Sequence, residues 1–486
     1  MSCNTSTLAV YTPSASMLWN KKRIQHFYRR VGFGTSNAFI ADAIAQTPAT
    51  FVDNMIDGAI ALGTTTEPAW ANMIYTDYAD PENEIPAQQL ELGILWTNDM
   101  LENNTITKYH AVRGRFSLFW SNHFVTRLED YWCPSWMFNY YETLQTHAFG
   151  NFKEFVRAIG QTSAMIVFLN SYDNTATEPN ENYARELYEL FTLGVNNNYT
   201  QQDIVETARA LTGYTNYTEY CAPITFNIGD FDSGSKTIFG QTSTFDYDGV
   251  IDNLFAQRGS EIAHYICEKL YKYFVSPDVD TAIVAGLAST FMANNFELAP
   301  VYKQLFKSEH FFDATAIGTI VKSPNDLFNA ISKETIPYYD TDFLESILWY
   351  NGQIGQYIFD PIDVAGWQGN HDWINSSTLI GRWNLMEWYL YRIWENNPET
   401  LRTFATDLVG VANTDPAQIA QILVDHLISN GLQTPADYAI ATDIFKDEVP
   451  QNYYDDNLWN LQWSSAPYQI FVLLMHIIKL PEFQLK

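Results

Sequence analysis

Residues 180–214 read NENYARELYELFTLGVNNNYTQQDIVETARALTGY, and this stretch decides the class of fold. With about 3.6 residues per helical turn, its apolar side chains fall on one helical face. These side chains are Tyr183, Leu187, Leu190 and Phe191. Gly194 closes this helix, because glycine readily adopts the left-handed conformation found after many helices. The first half of the stretch therefore predicts an amphipathic helix.

The second half of the stretch predicts another helix. Thr200 is suited to an N-cap, and Asp203 supplies an acid three residues later, in the manner of a capping box. The amphipathic run that follows extends the predicted helix over residues 201–211.

Helical periodicity recurs from Leu18 to the end of the chain, apart from predicted loops over residues 63–85 and 355–375 and one further interruption. Residues 215–247 are rich in Thr, Gly and Asp, and they predict a β-hairpin or irregular excursion. No repeat or low-complexity linker separates the helices. We therefore predict a mainly α fold, with one large multi-helix domain over residues 18–486 after a flexible lead-in over residues 1–17.

Composition limits the partners of the chain. Its net charge is −29, which argues against nucleic acid, because phosphate binding needs clustered Lys and Arg. No apolar run reaches the length of about 18 residues that a membrane span needs, so no membrane insertion is predicted. Residues 1–20 lack the features of a signal peptide. The remaining candidates are a small-molecule or polymer ligand, a divalent metal and a protein partner.

The four cysteines are far apart in the sequence: Cys3, Cys133, Cys221 and Cys267. They form no CxxC or Cys–His motif, which argues against a structural zinc site. Wide spacing in a large chain is also not typical of a disulfide framework, although one or two bridges remain open.

Charged residues gather on one face of the first predicted helix, namely Asn182, Arg185, Glu186 and Glu189. The spacing suits a salt-bridge ladder, which would be purely structural. It also suits a functional pair, with Glu186 and Glu189 one turn apart as joint metal ligands or as an acid and a base.

Residues 119–124, FWSNHF, place Asn122 and His123 between large apolar residues. A histidine in such surroundings is most often part of the core. Beside an inward carboxylate, however, His123 becomes a base or a metal ligand.

Residues 26–34, HFYRRVGFG, combine His26 with Arg29 and Arg30. Guanidinium groups bind carboxylate or phosphate, so these residues are candidates for an anion site. The alternative is that both arginines pair with buried carboxylates such as Glu186 or Glu189.

Taken together, these segments resemble the bacterial domain-of-unknown-function family 1800. The resemblance rests on collinear motifs: HFYRRVGFG at 26–34, FWSNHF at 119–124, PNENYARELYELFTLG at 179–194, ARALTG at 208–213, DSGSKT at 232–237 and LPEFQ at 480–484. It implies a family chain over roughly residues 18–486 and carries no established activity. It also allows export, whereas the chain as given shows no signal peptide, so the compartment stays open.

Two hypotheses follow for function. The first is an enzyme with a polar centre, in which a divalent metal is the candidate cofactor. Its catalytic candidates are His26, His123, Glu186 and Glu189; its binding candidates are Asn122, Arg29, Arg30 and Arg185; its metal ligands are His123, Glu186 and Glu189. The second is a non-enzymatic binding or assembly protein in which these charges form a buried structural ion network.

Overall fold

The computed structural model describes residues 5–101, 107–335 and 340–486. Twenty-three α-helices lie within these ranges, which confirms the mainly α prediction. The helices up to the middle of the chain are α1 Lys21–Val31, α2 Asn37–Ile44, α3 Pro48–Ala61, α4 Pro81–Met100, α5 Lys108–His123, α6 Leu128–Tyr131, α7 Pro134–His147, α8 Phe152–Ile159, α9 Ser163–Phe168, α10 Asn182–Glu186, α11 Gln201–Ala210 and α12 Tyr247–Phe274. The remaining helices are α13 Thr281–Ala293, α14 Leu298–Lys307, α15 Glu309–Phe312, α16 Pro324–Glu334, α17 Thr341–Gln353, α18 Ser376–Asn396, α19 Glu399–Val409, α20 Pro416–Leu427, α21 Pro435–Lys446, α22 Gln451–Asp455 and α23 Ala466–Ile477.

The two β-strands found among the described residues lie in the predicted excursion at residues 215–247. Strands β1 (Lys236–Ile238) and β2 (Gln241–Ser243) pair antiparallel, with Thr237 opposite Thr242. The connection includes Gly240 at a φ of +76°, a conformation that glycine adopts without strain. The hairpin packs beside α11.

Two hydrophobic clusters form the interior of this single mainly α domain. The larger cluster is built mostly from residues 11–321 and is dense in aromatic rings, as the composition of the chain predicts. The smaller cluster is built from residues 327–483 together with Leu101. Ile94 on α4 packs against both clusters, so α4 joins the two cores.

The described part of the predicted flexible lead-in is tied to the domain. The backbone N–H of Tyr11 donates to the carbonyl of Lys307 at 2.8 Å, and the carbonyl of Ala9 accepts from Glu309 at the same distance. The ring of Tyr11 is buried and lies 5.0 Å from that of Phe312. Backbone hydrogen bonds and the buried Tyr11 ring thus hold this segment against the domain, although its Ser/Thr-rich composition predicts flexibility.

One disulfide joins Cys133 to Cys221, and it links the start of α7 to the excursion. Cys267 is a buried free thiol, while Cys3 lies outside the described residues. The cysteine spacing leaves one or two bridges open, and the described residues contain this one.

The two helices of the 180–214 stretch form, with one departure from the prediction. Thr200 and Asp203 make the predicted capping box, and α11 follows directly. The first helix, however, changes after α10 into a π-helical turn over Leu187–Thr192. Turns of this kind are rare and often occur at functional sites.

In the described ranges, no helix is both long and apolar enough to span a bilayer.

Candidate functional site

A cleft of about 370 Å³ opens where the end of α5 meets α12, next to the segment 365–373. Its volume lies in the range of pockets that hold small molecules. Its wall includes polar and aromatic side chains, among them His123, Tyr265, Lys269, Trp367, Trp373 and Lys486.

His123 and Lys269 form the polar centre of this cleft. Nε2 of the buried His123 lies 3.0 Å from the carbonyl of Phe191, and Nδ1 lies 3.2 Å from Nζ of Lys269. A carbonyl only accepts hydrogen bonds, so Nε2 must carry the proton. Nδ1 is therefore free to accept a hydrogen bond from the Lys269 ammonium.

The π-helical turn supplies the acceptors that orient these groups. In addition to the bond from His123 to Phe191, the carbonyl of Leu190 accepts from the Tyr265 hydroxyl at 3.0 Å and from Nζ of Lys269 at 3.4 Å. Carbonyls at the C-terminal end of a helix lack helical partners and carry the negative end of its dipole. The family motif at 179–194 thus contributes backbone carbonyls to the cleft.

Burial weakens the charged forms of both groups. It lowers the pKa of His123 well below its usual value, and the nearby ammonium of Lys269 lowers it further. Burial also lowers the pKa of Lys269 from 10.5 to about 8, with a smaller contribution from Lys272. At neutral pH the pair is therefore a neutral imidazole beside an ammonium that gives up its proton easily.

The other lysines of the cleft have carboxylate partners. Lys272 forms an ion pair with Glu268, and Lys486 forms one with Asp326. Arg115 also contacts Asp326; together with Lys486 it holds the pKa of that carboxyl well below its usual value, although burial alone would raise it. Lys269, in contrast, has no carboxylate within ion-pair distance among the described residues.

Asn122 fixes one wall of the cleft. Its Nδ2 donates to the carbonyl of Trp367 at 2.9 Å, and its Oδ1 accepts from the backbone N–H of Trp367 at 2.6 Å. The neighbouring Gly366 has a φ of +75°, and a Cβ there would lie 2.4 Å from Oδ1 of Asn122. Glycine at 366 is thus needed for this close approach.

Two tryptophans complete the wall. The rings of Trp367 and Trp373 lie 6.5 Å apart between centroids, and both are largely buried. Nε1 of Trp367 is buried without a hydrogen-bond acceptor among the described residues.

Of the predicted site residues, the structure brings His123 and Asn122 to the cleft, while the acidic face of α10 lies outside its lining. Arg185 bonds Glu181 at 2.8 Å and Glu189 at 3.5 Å, in the arrangement of the salt-bridge ladder. Glu186 is partly buried, and burial, followed by the charge of Glu189, raises its pKa.

The remaining candidates lie on α1, in a separate buried network. Arg29 makes a bidentate ion pair with Glu334, with both N–O distances at 2.7 Å, so the expected pairing with Glu186 or Glu189 is wrong. Arg30 donates to the carbonyl of Ala316 and the hydroxyl of Thr319.

His26 belongs to the same region and does not line the cleft. Its Nε2 donates to the carbonyl of Phe311 at 3.0 Å, and burial lowers its pKa well below the usual value, assisted by Arg30. A contact with α15, which is distant in sequence, places this histidine.

The geometry does not support the expected metal role of His123, Glu186 and Glu189. Across the described ranges, no group of three or more His, Cys, Asp or Glu side chains is arranged to hold a metal ion. Both ring nitrogens of His123 are already hydrogen-bonded, so neither presents a free lone pair to a metal.

Sequence reasoning missed Lys269. A signal for Lys269 was present, because it lies on the helical face that also carries Ile262, Ile266 and Tyr273. A lysine within an apolar stripe must be buried or must face a cavity. The segment WQGNHDW at 367–373 was by contrast a candidate for the rim of a ligand site, with aromatic loop packing as the alternative, and Trp367 and Trp373 both line the cleft.

Fold and cleft together define a large all-helical protein with a small-molecule-sized cleft centred on a lysine and a histidine. A family model described as "Protein of unknown function (DUF1800)" matches residues 26–485. The match covers nearly the whole chain, so the protein belongs to this family. No curated protein and no solved structure matches it.

Proposed function

We propose that this chain binds a small anionic molecule, or the anionic end of a polymer fragment, in the cleft around Lys269. The observation that carries the proposal is the ammonium of Lys269, which faces the cleft without a carboxylate partner among the described residues. A partly buried cation of this kind is unfavourable until an anion joins it. A bound carboxylate or phosphate would supply the missing partner.

The charge distribution supports the same ligand class. The chain as a whole carries a net charge of −29, yet the cleft holds one more lysine than carboxylates. The lysine in excess is Lys269, and its ammonium attracts ligands of the opposite sign.

The walls favour a ligand with a flat or apolar part. Trp367 and Trp373 both line the cleft, and their rings pack near each other. Aromatic walls with a few polar groups that fix orientation are typical of small-molecule sites.

Benzoate and benzamide form a matched pair of probes that differ in charge. At pH 7 we expect benzoate to raise the midpoint of thermal unfolding more than benzamide does, because a ligand that binds the folded state stabilises it. Lys269→Met should weaken the apparent benzoate affinity about tenfold. Lys303→Met is the control, since Lys303 pairs with Asp57 and does not line the cleft. Equal shifts with both probes, or equal benzoate affinity in both variants, would refute the proposal.

The alternative of a structural ion network suits the other predicted candidates. His26, Arg29 and Arg30 are buried and bonded to other parts of the chain, including Glu334. We therefore propose a structural role for these three residues, and we keep His123 as the candidate for catalysis.

A further inference from the structure

We infer that Lys269 is an amine nucleophile, which forms an imine with an aldehyde or ketone bound in the cleft while His123 accepts a hydrogen bond from the amine and orients it. The inference rests on the proposed function, because the carbonyl compound carries the anionic group that the cleft attracts.

The first argument is the geometry of Nζ. Nδ1 of His123 lies 3.2 Å away and must act as the acceptor, because Nε2 donates to the carbonyl of Phe191. The carbonyl of Leu190 accepts a second N–H. With two N–H directions held in this way, the third direction of the amine is left for a ligand in the cleft.

The second argument is the contrast with the other lysines of the cleft. Lys272 is paired with Glu268, and Lys486 is paired with Asp326. Burial also lowers the pKa of Lys486, to about 7, but its side chain is enclosed against that carboxylate. Lys269 has a neutral imidazole in place of a carboxylate, and burial lowers its pKa to about 8. Desolvated lysines of this kind supply the neutral amine that attacks carbonyl carbon.

The reaction balances without a further reagent. The ammonium of Lys269 loses to solvent the proton that points into the cleft, and the freed nitrogen lone pair forms a bond to the carbonyl carbon as the C–O π bond breaks. A proton moves from nitrogen to oxygen, and solvent supplies one proton to the departing hydroxyl. The products are a protonated imine and one water, and nothing is oxidised or reduced.

The substrate class follows from what surrounds Nζ. Lys272 lies one turn further along α12 and is half exposed at the cleft, so its ammonium can contact a second group of the ligand in addition to its pair with Glu268. We therefore expect an aldehyde or ketone that also carries a carboxylate or phosphate.

The test uses 4-formylbenzoate, which combines aldehyde, anion and ring. The full chain is mixed with a limiting amount of this aldehyde at pH 8 and reduced with borohydride, and the labelled lysines are then mapped by mass spectrometry. We expect Lys269 to be labelled about tenfold more than any other lysine, because it combines a pKa lowered to about 8 with an amine that faces the cleft and has no carboxylate partner among the described residues. Benzaldehyde, which lacks the anion, should label it less.

Lys269→Arg is the decisive variant, because it keeps the positive charge and removes the primary amine. It should lose the selective label and keep the benzoate response, which also reports that it is folded. Label spread evenly over the lysines, or concentrated on Lys272 or Lys486, would overturn the inference. If wild-type protein binds benzoate yet gives no selective adduct, the imine is wrong and the proposed function stands; if neither is seen, both are wrong.

Discussion

Nζ of Lys269 lies 3.2 Å from Nδ1 of His123, and backbone carbonyls of a single π-helical turn hold both side chains. That turn, Leu187–Thr192, lies within the 179–194 segment, one of the motifs on which the resemblance to the family rests. The motif therefore acts on the cleft through its backbone. Its charged side chains, including Arg185, lie outside the cleft lining.

Removing Lys269 should not destabilise the fold. At pH 7 the folded chain keeps a partly buried ammonium without a carboxylate, so Lys269→Met relieves an unfavourable charge. We expect an unchanged midpoint of thermal unfolding or a rise of up to about 2 °C. Scanning calorimetry of this variant beside Lys303→Met provides the measurement. A fall of several degrees in Lys269→Met alone would indicate that Lys269 is a structural residue.

Labelling of Lys269 should depend on pH with a midpoint near the lowered pKa of about 8. The groups that face this amine are His123 from α5, Tyr265 and Lys272 from α12, and the carbonyl of Leu190. Below the midpoint the neutral fraction rises about tenfold per pH unit, and above it the rate flattens. Initial rates of borohydride trapping between pH 6 and 10 test this. A rate that continues to rise to about pH 10 would match an ordinary lysine.

The stability of the folded chain should show the same titration. Because the pKa of Lys269 is lower in the folded state than its usual 10.5, unfolding between about pH 8 and 10.5 takes up a proton. Wild-type protein should therefore gain stability relative to Lys269→Met as the pH rises through this window. Urea unfolding at pH 7.5 and pH 10 measures the difference, and an unchanged difference would contradict the lowered pKa.

Glu334 and Glu189 should differ sharply in their contribution to stability. Glu334→Ala leaves Arg29 buried and without its bidentate partner, which should cost about 3–5 kcal/mol. Glu189→Ala removes one weak pair at 3.5 Å on a half-exposed face, worth about 0.5 kcal/mol or less. Urea unfolding of both variants makes the comparison. A similar loss of unfolding free energy in both variants would mean that Glu189 contributes more to stability than its contact with Arg185 indicates.

Asn122→Ala should weaken ligand binding through the position of Trp367. The variant loses both hydrogen bonds that fix the backbone at Trp367, so the aromatic wall becomes less ordered. We expect the benzoate affinity to fall about threefold to tenfold, with a smaller effect on stability than in Glu334→Ala. Titration calorimetry of Asn122→Ala beside Asn139→Ala, an exposed change on α7, checks the effect. An unchanged benzoate affinity would show that Asn122 does not contribute to the ligand site.

Local patterns in the sequence predicted much of the fold. The capping box at Thr200 and Asp203 formed as expected, and α11 ends within a residue of its predicted end. These features depend on neighbours three or four residues apart. The π-helical turn was not predicted, because the shift from α to π geometry depends on partners such as Tyr265 and His123 that are distant in sequence.

The site was predicted only in part, for a similar reason. His123 and Asn122 stood out as polar residues within an apolar segment, and both line the cleft. Lys269 looked like one charge among many, because its lack of a counter-ion is a property of three-dimensional packing. The partner of Arg29, Glu334, is about three hundred residues away, and no spacing rule connects the two.

The most direct test of the ligand site is anomalous diffraction from crystals soaked in 4-iodobenzoate. The iodine atom marks the ring, and the carboxylate supplies the anion that Lys269 lacks. The account predicts an iodine peak beside Trp367 and Trp373 with the carboxylate directed to Nζ of Lys269, and a much weaker peak with 4-iodobenzamide. Iodine found only outside the cleft, or equal peaks for the two compounds, would contradict it.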